Sequence, residues 1–100
     1  MRRETLKVGD IVYCIGEYKE LDYDYILGVE GEVFKVRRID ESDQSYQLQH
    51  IDDPHRTMWL YYTKKYMSNV KELGYFWEYF VTKKSKAKRI RNIAKMFINN

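Results

Sequence analysis

A chain of 100 residues, 44% apolar and 33% charged, can bury one hydrophobic core and is too short for two of ordinary size. An aromatic content of 16%, with ten Tyr, excludes the composition of a disordered chain. The net charge of +3 hides a division, because residues 1–82 hold eleven cations against all fifteen acids, whereas residues 83–100 hold seven cations and no acid.

Val8-Gly9-Asp10 is a turn signal, and Ile11-Val12-Tyr13-Cys14-Ile15 follows as a β-branched and aromatic run, the pattern of a buried first strand. Cys14 is the only cysteine, so no internal disulfide and no cysteine-based zinc site is expected, and its apolar neighbours make it a buried structural thiol. From Gly16 to Gly28, acids alternate irregularly with Tyr18, Tyr23 and Tyr25, and no period emerges. This segment is expected to be a long acidic-aromatic loop.

Val29 to Ile39 reads as a second strand in which Gly31 permits a bulge or a close crossing. Asp40-Glu41-Ser42-Asp43 is a polar turn, Ser45 to Ile51 alternates as a third strand, and Asp52-Asp53-Pro54-His55 is a second turn. Thr57 to Thr63 completes a three-stranded meander, and strand alternation places Phe34, Val36 and Trp59 in or near the core. Ser68 to Leu73 has the signals of one helical turn, capped by Ser68 or Asn69 and stopped by Gly74.

Tyr75 to Thr82 reads as a fifth strand, with Tyr75, Trp77, Tyr79 and Val81 on one face, although periodicity alone leaves a helix open. Beyond it, Ala87, Ile90, Ile93, Ala94, Phe97 and Ile98 recur at helical spacing among cations, the pattern of an amphipathic basic helix. The organisation expected is a mainly β, five-stranded, partly open barrel over residues 1–82 with a basic C-terminal helix over 83–100.

Val8-Gly9-Asp10-Ile11-Val12, then Gly28-Val29-Glu30-Gly31-Glu32-Val33, Tyr46-Gln47-Leu48 and the Trp59 strand, together resemble Src-homology-3-like barrels of the KOW and Mind-bomb type. The resemblance spans residues 8 to 63. A KOW likeness implies contact with RNA or with the transcription and translation machinery, and a Mind-bomb likeness implies peptide binding. Glu30 and Glu32 flank Gly31, where a basic residue is common in the KOW pattern, and so weigh against phosphate contact by that strand.

Catalysis finds little support, since the only thiol lies in a core strand and both histidines share one hairpin. His50, Asp52, Asp53 and His55 have metal-ligand chemistry but are splayed by alternation and a turn, so neither a metal nor another cofactor is expected. No stretch approaches the roughly 18 apolar residues of a membrane span, and Met1-Arg2-Arg3-Glu4-Thr5 leads into no signal-peptide core. A cytoplasmic protein without membrane contact is the expectation.

Two surfaces remain as candidates. Lys84, Lys88, Arg89, Arg91 and Lys95 would bind nucleic acid through its backbone with little specificity, each contact releasing counterions. Tyr18, Asp22, Tyr23, Asp24 and Tyr25 would bind a protein through rings and carboxylates. These features point to a non-catalytic regulatory module joining nucleic acid, or a nucleoprotein machine, to a protein; the alternative is a small inhibitor, such as a phage-encoded one, that blocks a host enzyme.

Overall fold

The structure is a computed structural model that describes residues 5–19, 26–67 and 74–83. In chain order its elements are β1 (Ile11–Cys14), β2 (Tyr18–Lys19), β3 (Ile26–Gly28), β4 (Val33–Asp40), β5 (Ser45–His50), β6 (Thr57–Tyr61), β7 (Gly74–Tyr75), α1 (Phe76–Tyr79) and β8 (Phe80–Val81). The protein is mainly β, and no helix among the described residues is long and apolar enough to cross a membrane.

Six strands form one sheet in the order β7-β6-β5-β4-β1-β8, and β2 and β3 form a separate ribbon. The meander β4-β5-β6 is antiparallel, β1 pairs with β4 and β8, and β7 runs parallel to β6. The two edge strands, β7 and β8, are separated in the chain only by α1. In a flat sheet the five strand spacings between them would amount to about 24 Å, whereas a helix of this length advances about 6 Å. The sheet therefore curls into a half-barrel whose two edges α1 joins.

Alternation supplies the core: Val12 and Cys14, Phe34 and Val36, Tyr46 and Leu48, Met58 and Leu60 all point inward and are buried. Register then stacks them into layers, for example Val36 opposite Leu48 and Leu48 opposite Met58. An aromatic column fills the axis, with Phe34 edge-on to Phe80 at 5.6 Å, Phe80 stacked on Phe76 at 5.3 Å, and Phe76 edge-on to Tyr46 at 5.2 Å.

The Phe76–Phe80 stack corrects the expectation of one continuous strand from Tyr75 to Thr82. In a strand Glu78 would share the inward face with Phe76 and Phe80, but it is exposed while they are buried, so the chain makes one turn of helix between two short strands. The residues facing the core are Phe76 and Phe80, not the alternating set beginning at Tyr75. Trp59 is corrected on the same logic: Met58 and Leu60 are the inward pair of β6, so Trp59 lies on the outer face and is only half-buried. Phe34 and Val36 are in the core as the alternation predicts.

Gly31 permits a turn, not a bulge. Val29-Glu30-Gly31-Glu32 closes with Glu32 N–H donating to the Val29 carbonyl at 3.2 Å while the Glu32 carboxylate accepts the Val29 N–H at 2.9 Å. Lys7-Val8-Gly9-Asp10 repeats this arrangement, with N–H to carbonyl at 3.0 Å and N–H to carboxylate at 2.8 Å. The third residue has φ of 94° in the first turn and 97° in the other, values that favour glycine.

The expected loop from Gly16 to Gly28 carries the β2–β3 ribbon at its base, Tyr18 lying opposite Gly28 and Lys19 opposite Ile26. The expected helical turn at 68–73 and the basic helix from Lys84 onward lie outside the described residues, apart from Lys83 before the latter. The strand count also exceeds five.

Candidate functional site

The alternation that fills the core sets the chemistry of the outer face. Register aligns Ile11, Lys35, Gln49 and Thr57 in one row across β1, β4, β5 and β6, and Arg38, Gln47 and Trp59 in the next. Between Val36 and Arg38 the β4–β5 register shifts, leaving Arg37 as the extra residue of a β-bulge. Lys35, Arg37 and Arg38 are all exposed. Among the described residues, none of the three pairs with a carboxylate.

Neutral groups suited to a polar ligand border these cations. Gln49 is anchored by donating to the Pro54 carbonyl at 2.9 Å, while the side-chain oxygen of Gln47 is buried without a hydrogen-bond partner. Trp59 ends the row beyond Gln47, and its half-buried indole leaves part of the ring accessible. The face thus offers fixed positive charge and an aromatic surface.

The acids nearest the other end of β4 are already committed. Glu32 accepts both guanidinium nitrogens of Arg56, one at 2.8 Å, and pairs with His50 Nε2 at 3.0 Å. The hydrogen bond from Arg56 is the main reason that the Glu32 pKa is lowered to about 2. His50 Nδ1 accepts the N–H groups of Asp52 and Asp53, each at 3.1 Å, so the ring carries its proton on Nε2 and donates it to Glu32. Arg56 also donates to the Leu27 carbonyl at 3.0 Å, tying β3 to the β5–β6 hairpin. This cluster is a structural clamp.

Cys14 is a core thiol, as its apolar neighbours predict. Its Sγ lies 3.0 Å from the Gly16 carbonyl, and burial above all pushes its pKa up to about 11, so it is not a thiolate near neutral pH. Among the described residues no group of three or more His, Cys, Asp or Glu is gathered to hold a metal ion. His55 is exposed at the hairpin tip, whereas His50 is half-buried against Glu32.

The residues singled out from sequence fare differently. Tyr18 is 1% exposed, with its hydroxyl accepting the Gly74 N–H at 2.9 Å and its ring 4.8 Å from that of Tyr79. It is a core residue because β2 turns it under the half-barrel, so it does not belong to an exposed protein-binding face. Asp22, Tyr23, Asp24 and Tyr25 lie outside the described residues, as do Lys84, Lys88, Arg89, Arg91 and Lys95. Sequence reasoning missed Lys35, Arg37, Arg38, Gln47 and the outward placement of Trp59. The available signal was Lys35-Val36-Arg37-Arg38, cations interleaved with a core residue inside a strand.

No family model matches the chain, and neither a curated protein nor a solved structure matches it.

Proposed function

We propose that the protein is a small non-catalytic binding module that grips the phosphate backbone of nucleic acid, alone or within a nucleoprotein machine. The observation that carries this reading is the outer face of β4, where three exposed cations lack acidic partners among the described residues beside Trp59 and Gln47. Cations on phosphates supply salt-dependent affinity, and an aromatic ring supplies stacking for an unpaired base. The basic run that includes Lys84, Lys88, Arg89, Arg91 and Lys95 adds to the same attraction, and the segment with Asp22, Tyr23, Asp24 and Tyr25 offers a protein contact. The curled sheet, with its Val8-Gly9-Asp10 and Gly28 to Val33 motifs, supports an Src-homology-3-like description. The buried thiol and the clamped histidine favour binding over catalysis.

The test is binding of a fluorescent single-stranded 20-mer at several salt concentrations. Wild-type affinity should fall about ten-fold or more between roughly 50 and 200 mM salt. Reversing Lys35, Arg37 and Arg38 to Glu should abolish most of that binding and flatten the salt slope by about two, at roughly 0.7 per lost phosphate contact. Binding indifferent to both charge reversal and salt would exclude phosphate recognition.

A further inference from the structure

A second site opens on the opposite side of the same strands, and its chemistry is complementary to a different ligand. Where Arg38 and Gln47 point outward, their neighbours Ile39 and Tyr46 point inward and line a groove of about 310 Å³ with Leu6, Tyr62, Trp77 and Glu41. That volume is at the low end for a ligand site and suits one or two side chains, not a large molecule. The floor is rigid, because the Tyr46 hydroxyl accepts the Leu6 N–H at 3.2 Å and its ring packs on Phe76. Tyr62 lies 4.7 Å from Tyr46, and Trp77 is edge-on to Phe76 at 4.8 Å, so both rings are held in place from behind.

The rim is acidic. Glu41 lines the groove and is exposed, and Asp40 and Asp43 flank it in the β4–β5 turn. Their combined negative field reaches the rings, since the Tyr62 hydroxyl pKa is raised by burial first and then by Glu41, Asp43 and Asp40. Among the described residues no cation pairs with Glu41. Aromatic walls beneath an uncompensated carboxylate favour a planar cation, which stacks on a ring while its N–H groups reach the acid.

We propose that this groove seats an arginine side chain from a basic segment of a partner protein, its guanidinium against Tyr62 and Trp77 and paired with Glu41. The site goes beyond nucleic-acid binding and does not depend on it, because the two faces share strands but no side chain.

The probe is a capped pentapeptide, Ala-Arg-Arg-Arg-Ala, titrated into the full isotopically labelled chain while the two indole N–H resonances are followed. The Trp77 signal should shift saturably and that of Trp59 should not. A peptide with citrulline in place of arginine, equal in shape but uncharged, should give no saturable shift. Glu41→Gln, at an exposed position, should weaken the arginine peptide by about two- to five-fold. Reversal of Lys35, Arg37 and Arg38 to Glu should leave the Trp77 shift in place, separating this site from the phosphate-binding face. Equal binding of the citrulline peptide, or a shift at Trp59 alone, would overturn the proposal. So would tight peptide binding that appears only when the cations of residues 84–95 are replaced by Gln, for the occupant would then be the chain's own basic run.

Discussion

Lys35 and Phe34 are neighbours on β4, as are Trp59 and Met58 on β6, yet the outward member of each pair meets solvent and the inward member is buried. One residue of parity separates a surface that can attract phosphates from a core that holds the half-barrel shut. The comparison teaches that residue type alone does not assign a role in a small β protein: a large aromatic, Trp59, lies outside, and a tyrosine, Tyr18, lies inside. The sharpest way to break the comparison is to truncate one ring on each side. Phe34 touches Phe80, His50 and the Arg56 guanidinium, so Phe34→Ala removes the centre of the aromatic column. A loss of about 3 to 5 kcal/mol is expected in urea denaturation, much of the stability of a domain this size. A loss below about 1 kcal/mol would mean that the column does not form the core.

A smaller effect separates the acids of the two regions. Glu32 is committed to Arg56, whereas in the β4–β5 turn Asp40 and Asp43 accept from Ser42 and Ser45 and Glu41 pairs with no cation among the described residues. The folded value for Glu32, about 2, lies below its ordinary 4.5. A depressed carboxylate stabilises the fold at pH values above its ordinary range, and that contribution fades as pH falls from about 4.5 through about 2. The wild-type chain should therefore lose more stability across this window than Glu32→Gln, which has no charge to protonate. Parallel losses in urea midpoints would show that the Arg56 bond does not hold Glu32 ionised.

Much of the core could be read from the sequence, because period-two alternation in Val12-Tyr13-Cys14, Phe34-Lys35-Val36 and Tyr46-Gln47-Leu48 maps directly onto inward and outward positions. Three features escaped because they depend on contacts between distant segments. The helical turn at Phe76–Tyr79 arises from the need to join two sheet edges, a demand invisible within Tyr75 to Thr82. Tyr18 is buried because Gly74 lets its ring approach: a Cβ at that glycine would lie 2.6 Å from Tyr18. The bulge at Arg37 resets parity within β4, so Arg37 and Arg38 are both exposed although strict alternation would turn one inward.

The smallest stability effect, and the one that best separates ring from charge, belongs to Trp59. Its neighbours Met58 and Leu60 carry the packing of β6, so Trp59→Ala should cost only about 1 to 2 kcal/mol in stability. Its contribution to nucleic-acid binding should be of another kind from that of Lys35, Arg37 and Arg38. Base stacking on an indole contributes about 1 to 3 kcal/mol, a weakening of roughly five-fold or more on removal. Because no charge is lost, the number of counterions released on binding is unchanged. A plot of log affinity against log salt should therefore shift downward in parallel for Trp59→Ala, while the triple charge reversal changes its slope. An unchanged intercept would remove Trp59 from the interface and leave the cations to act alone. A changed slope would mean that the substitution had displaced Arg38, two strands away in the same row through Gln47.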